Sequence, residues 1–325
     1  MGSYVARRLV SLVPVLLAAA TIVWIVMFLL PGDPARLIAG GQGLDPEILR
    51  SIRSEWGLDA PAPMQYLWYL GKLLRGDLGT SYVQRRPVAV IIRDHFPPTL
   101  ILSLAAIAIS AGGGLLLGAL AAYHRGRSVD TLVLVLALLG TSTPVFWLGL
   151  LLMLLFASRL QWLPVLGYGM NGAVLPLVGV RLPEWDHLVL PALTLSLVSL
   201  GTTARLARTS LLEAGGAAYL VTASAKGASA LRVFARHALK NALIPVVTVI
   251  GLEFASMLGG AVATEYVFAW PGLGKTIVRA IALQDLPVVE GCVLFLTVIF
   301  VLVNLAVDLV YLYLDPRLAD HDLAA

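Results

Sequence analysis

Six stretches of this chain are nearly free of charge over lengths that match the hydrocarbon core of a bilayer: residues 9–30, 99–123, 131–158, 188–204, 241–264 and 286–314. An α-helix needs about 20 apolar residues to cross that core, and in lipid a helix satisfies its own backbone hydrogen bonds. The fourth run is short and borrows a turn from its flanks. The third contains Thr143-Pro144, where proline removes a helical N–H and bends or breaks the helix. Glu253 alone interrupts the fifth, and the sixth carries Glu290 near its start and Asp308 near its end. Only 13% of the 325 residues are charged, about half the usual share in soluble domains. The pattern predicts an all-α polytopic membrane protein with six transmembrane helices.

The first run follows Arg7 and Arg8 and contains three alanines, Ala18 to Ala20, that look like a signal cleavage site. Its apolar region exceeds the roughly 7–15 residues of a signal peptide, so it reads as a retained anchor over residues 1–30. An even number of spans puts both termini on one side. With the N-terminus inside, eleven lysines and arginines fall on cytoplasmic segments and four on the two short external loops, as the positive-inside rule requires. The long segment 31–98 is then extracytoplasmic, residues 99–314 form a five-helix core, and 315–325 is a cytoplasmic tail. Cys292 is the single cysteine, so there is no disulfide framework and no cysteine metal site.

The stretch AWPGLGKT at 269–276 resembles the end of a phosphate-binding P-loop. Ala269 replaces the opening glycine, Pro271 removes an N–H, and a transmembrane helix precedes the loop where a strand belongs. The reading is a Pro-Gly turn before a helix. Within 31–98, LDPEILRSIRSEW at 44–56 predicts an amphipathic helix, with Asp45 as N-cap, Pro46 at its first position, and Ile48, Leu49, Ile52 and Trp56 on one face. A second short helix is expected over 88–95, with RGDLGTS at 75–81 as a turn before it.

The segment 205–240 is basic and helix-compatible, and includes a run of small residues at 214–225 that ends in Lys226-Gly227. Lipid anchoring explains its charge but not its small residues, which suit close docking against another protein. This segment resembles the EAA signature of permease subunits in bacterial ABC importers. The match is sharpest for the branch that imports dipeptides, oligopeptides and nickel. Further motifs run in order: ARRL at 6–9, LPGDP at 30–34, GDLGTS at 76–81, PVFWL at 144–148, LQWLP at 160–164, TASAKG at 222–227, HALKNALIP at 237–245, WPGLG at 270–274 and DPR at 315–317. The branch commonly carries an acid and two arginines where this chain has Ala218, Val221 and Ser224. Two missing charges weaken electrostatic docking, although exposed pairs contribute only about 0–1 kcal/mol each.

The resemblance implies the type I ABC importer permease fold and a place in the bacterial inner membrane. It implies a heterodimeric pore with a second permease subunit, two ABC ATPase domains on other chains, an extracytoplasmic substrate-binding protein, and di- or oligopeptide cargo. Membrane lipid is a further partner, and nucleic acid is not. This chain would bind no cofactor; ATP and Mg belong to the ATPase chains. Nickel, a nickel chelate, or a peptide-like solute such as glutathione is the alternative cargo. Coupling to the ATPase would run through Glu213, Ala214, Tyr219, Thr222, Ala223, Ala225, Lys226 and Gly227.

Other residues stand out on physical grounds. Gly114 and Gly118 form a G-x-x-x-G pair in the second span, and Gly251, Gly259 and Gly260 act similarly in the fifth, exposing backbone for close helix contact. Polar groups inside spans usually face a cavity or a partner. Glu253, Ser142 and Pro144 at the break in the third span, and Asn304, which shares a face with Asp308, are therefore candidates to line a pathway. Glu253 reads equally as a hydrogen-bonded packing residue. An intramembrane enzyme would need a catalytic pair or metal ligands at depth, and none of the five histidines lies well inside a span. A passive channel would leave the 213–227 segment without a purpose.

Overall fold

The computed structural model describes residues 2–29, 35, 46–56, 58–169, 172–175, 180–216 and 239–314. The elements are α1 (Gly2–Leu29), α2 (Pro46–Trp56), α3 (Ala62–Leu74), α4 (Val88–Tyr123), α5 (Ser128–Ser142), α6 (Val145–Leu152), β1 (Val174–Leu175), β2 (Val180–Arg181), α7 (Trp185–Gly215), α8 (Leu239–Gly260), α9 (Val262–Val267), α10 (Leu273–Ala282) and α11 (Leu286–Leu314). Among the described residues the fold is helical, as expected, apart from one antiparallel pair of two-residue strands, β1 and β2. Helices α4, α7, α8 and α11 are each long and apolar enough to span a membrane. The pair α5 and α6 passes the same test together, bent by 109°. The first run lies on α1, whose apolar stretch is Val13–Val26.

The chain divides into two compact units. One comprises residues 1–97 and 271–299. Its core joins Val88, Ile91 and Ile92 of α4 to Leu273, Ile277 and Ala280 of α10 and to Val288, Val289 and Cys292 of α11. The apolar residues of α10 recur at three- and four-residue steps, which puts them on one helical face. The GDLGTS motif builds the turn that enters α4. Gly76 and Gly79 take φ of +75° and +80°, a region where a side chain would be strained, and the Gly79 N–H donates to Asp77 Oδ1 at 2.9 Å. The buried Ser81 hydroxyl donates to Asp285 Oδ2 at 2.5 Å, and the Tyr82 N–H donates to Asp285 Oδ1 at 2.9 Å. One 2%-exposed carboxylate thus holds the turn. Asp285→Ala is expected to strand two donors at about 1–3 kcal/mol apiece for a fully buried group. Limited proteolysis of the 76–87 turn checks this: cutting no faster than in the parent chain would refute it.

The second unit, residues 98–270 and 300–325, is organised around α7. Beyond Leu190, Pro191 and Leu195, its buried face is small or hydroxylic: Ala192, Thr194, Ser196, Ser199, Gly201, Thr203, Ala204, Ala207 and Ser210. In lipid, helices associate through close packing of such residues. A second cluster sets Leu102 and Ala106 of α4 against Ala192 and Leu195 of α7, Met257 of α8 and the fully buried Trp270. The Trp270 indole N–H donates to the Pro98 carbonyl at 2.9 Å, and the ring meets Tyr168 edge-on. Burial pushes the Tyr168 phenol up to about 12, so it remains a donor to the Arg181 carbonyl. The outward faces of α5 and α6, with Leu132, Leu136, Leu139, Phe146 and Leu150 exposed, are as apolar as lipid contact demands.

Several local expectations change. The helix expected over 88–95 is the opening of α4, which continues through Pro97-Pro98. Those prolines cost the N–H bonds to the Arg93 and Asp94 carbonyls without ending the helix. Helix α3 was not foreseen. The segment expected to begin at Arg205 is helical to Gly215, so α7 outruns its apolar run, and the fifth run is interrupted at Ala261 between α8 and α9. Helix α2 starts at Pro46 as expected; Asp45 and the side chains of Ile48, Ile52 and Trp56 lie outside the described residues.

Candidate functional site

Three polar pairings tie the helices of the second unit together. Arg208 of α7 donates from Nε and Nη2 to the two oxygens of Asp130 of α5 at 2.6 and 2.8 Å, and Asp130 also accepts the Gly126 N–H at 2.9 Å. The Asp130 side chain is 6% exposed and that of Arg208 21%. A fork-to-fork pair of this kind fixes orientation as well as distance. It therefore fastens the 124–127 turn to α7 close to that helix's end. Ser199 of α7 donates to Glu253 Oε2 of α8 at 2.6 Å. Thr99 of α4 donates to Glu265 Oε1 of α9 at 2.6 Å, and both side chains are buried. Glu253 was anticipated as an intramembrane carboxylate. Asp130 and Glu265 were not, because each lies just beyond the apolar run beside it.

Glu213 is exposed and Ala214 half-buried in the last turn of α7, where the Gly216 N–H bonds the Leu212 and Glu213 carbonyls. Helix α7 thus leads into the basic segment, and α8 leaves it at Leu239. Tyr219, Thr222, Ala223, Ala225, Lys226 and Gly227 lie outside the described residues.

Ser142 and Pro144 flank the break between α5 and α6. Thr143 is extended there, and both its N–H and its hydroxyl donate to the Leu139 carbonyl. Past the break, α6 loosens into a π-helical turn at Met153–Arg159. The Asn304 side-chain oxygen is buried with no hydrogen-bond partner among the described residues. No hydrogen bond joins Glu253, Ser142, Pro144 and Asn304 to one another among those residues.

A Cβ on Gly114 would lie 2.6 Å from Thr203 Cβ, and one on Gly118 2.6 Å from the Ala204 carbonyl oxygen, so the pair lets α4 and α7 touch. Gly251 lies equally close to Val307 of α11. Gly259 is exposed, and among the described residues a Cβ there would meet nothing within 4 Å. The surroundings of Gly260 lie outside the described residues. No metal ligands were expected; Glu184, Asp186 and His187 do gather within 4.8 Å of one another, at the N-terminus of α7, where acidic side chains are favoured in any case. The AWPGLGKT stretch is a turn: Gly272 caps α10, and the Thr276 hydroxyl donates to its carbonyl at 2.9 Å.

Residues 114–320 match the family model described as binding-protein-dependent transport system inner membrane component, and residues 1–105 match the N-terminal model of the same membrane component. The chain belongs to this permease family. It is accordingly a multi-pass inner-membrane transport subunit and not an enzyme, and its family works with a substrate-binding protein and ATPase partners. It is 41% identical over 318 residues to the glutathione transport system permease protein GsiC of Salmonella typhimurium, covering 98% of this chain and 99% of that one. It is 42% identical over 317 residues to a putative peptide transport system permease protein of Brucella abortus, with the same coverage. Among solved structures, the permease fold resembles the MetNI methionine ABC transporter in inward-facing conformations, at TM-score 0.51 and 17% identity over 70% of this chain and 97% of that one.

Proposed function

We propose that this permease forms one half of a heterodimeric pore that imports short peptides, glutathione-like peptides included, at the expense of ATP hydrolysed on separate chains. The observation that carries the reading is near full-length similarity, at 41–42% identity, to permeases named for glutathione and peptide transport. A related permease completes the pore, and both termini are cytoplasmic, in keeping with the distribution of lysine and arginine. ATP and Mg bind the partner ATPases. Closure of those domains is received at 213–227 and passed up α7, and the bidentate Arg208–Asp130 pair supports that route by tying α7 to the 124–127 turn. Glu253 and Asn304 face the solute path, and the break at Ser142 and Pro144 lets the third span change shape.

The test is the ATPase activity of the assembled complex in lipid, with and without loaded binding protein, beside a Gly227→Asp variant. Hydrolysis should rise severalfold with loaded binding protein, and the variant should lose most of that stimulation while still reaching the membrane. Solute movement by this chain without ATP would overturn the reading. A binding protein that holds nickel or its chelate in place of a peptide would overturn the cargo alone.

A further inference from the structure

The first unit carries an open cleft of about 610 Å³, bounded by α1, α2, α3, the turn after α3 and the start of α11, a volume within the usual range of small-ligand sites. Trp24, Trp68, Tyr69 and Tyr82 line it, together with Lys72 and Glu290. Aromatic residues at a membrane boundary are ordinary, but two polar groups here are not. Glu290 makes neither a hydrogen bond nor an ion pair among the described residues. The Tyr69 hydroxyl is buried with no partner among them. Burial, and next the charge of Glu290, hold the Tyr69 phenol above its ordinary value, so it stays an intact hydroxyl.

A half-buried carboxylate with no protein partner keeps its charge more readily where a cation meets it, and a buried hydroxyl without a partner is rare in native interiors. One chemical group answers both. A primary ammonium has three N–H donors, enough for the carboxylate and the phenolic oxygen together, and a positive charge is drawn to tryptophan and tyrosine faces.

We propose that this cleft binds the primary ammonium group of a small molecule, held by Glu290 and Tyr69 among the aromatic rings. Two sources carry that chemistry: the headgroup of an ethanolamine phospholipid and the N-terminus of a short peptide. The assignment goes beyond the transport reading and does not depend on it.

The full-length chain is placed in phosphatidylcholine nanodiscs and titrated separately with short-chain phosphatidylethanolamine, short-chain phosphatidylcholine and dialanine, with occupancy read by native mass spectrometry. Saturable binding of phosphatidylethanolamine at least tenfold tighter than that of phosphatidylcholine supports a lipid headgroup site. Saturable binding of dialanine alone supports a peptide site. In either case Glu290→Gln should weaken the bound probe at least tenfold, and Tyr69→Phe, which keeps the ring and removes only the hydroxyl, should weaken it by a smaller factor. If Glu290→Gln does not fold, Tyr69→Phe and Trp68→Ala carry the comparison. No preference for either ammonium probe, or binding unchanged in the folded variants, overturns the proposal.

Discussion

Replacing Arg208 with alanine is expected to lower the thermal stability of the chain, because it leaves the Asp130 charge without its bidentate partner. Asp130 is 6% exposed in the intact pair, and without Arg208 its charge keeps only the Gly126 N–H and the more distant Arg125. Arg208→Lys should rescue little, since an ammonium cannot reproduce the two-pronged contact at 2.6 and 2.8 Å. An Asp130→Leu, Arg208→Met double variant removes both charges and should recover most of the loss, because an apolar pair of similar volume often replaces a buried ion pair at no net cost. Thermal unfolding in detergent of the parent chain, Asp130→Leu, Arg208→Met and their double variant forms a double-mutant cycle. Single and double variants of equal stability would mean that the pair contributes nothing. A double variant that is stable yet has lost stimulated ATPase activity would instead mark the pair as part of the coupling path.

Gly118→Leu is expected to be at least as damaging. Its Cβ would lie 2.6 Å from the Ala204 carbonyl oxygen, 2.7 Å from Ala207 Cβ and 3.0 Å from the Arg208 nitrogen. Overpacking usually costs about 1–3 kcal/mol when side chains can adjust; here the obstacles are backbone, and α4 and α7 must separate. Little folded protein should be recovered from the membrane. Gly112→Ala is the control: it lies in the same helix with nothing within 4 Å of a Cβ, and removing a helical glycine gains up to about 1 kcal/mol. Equal yields of the two variants would show that α4 and α7 do not pack as described.

Much of this protein is legible along the chain because the signals involved are local. The apolar runs located the long apolar helices, Thr143-Pro144 located the break between α5 and α6, and Pro271-Gly272 marked the start of α10. The spacing of Gly114 and Gly118 announced a close contact, though not with which helix. Tertiary structure decided what the polar residues do. Asp130 and Arg208 are 78 positions apart, Thr99 and Glu265 are 166, and Ser81 and Asp285 are 204. Nothing beside any of these residues names its partner. Arg208 read only as one cytoplasmic charge among eleven, and Asp285 as part of a loop. Hydropathy and helical period are properties of neighbouring residues, so a sequence states them directly. A hydrogen bond between helices exists only once packing has chosen which helices are neighbours and which faces they turn to one another, and that choice is made by the whole fold at once.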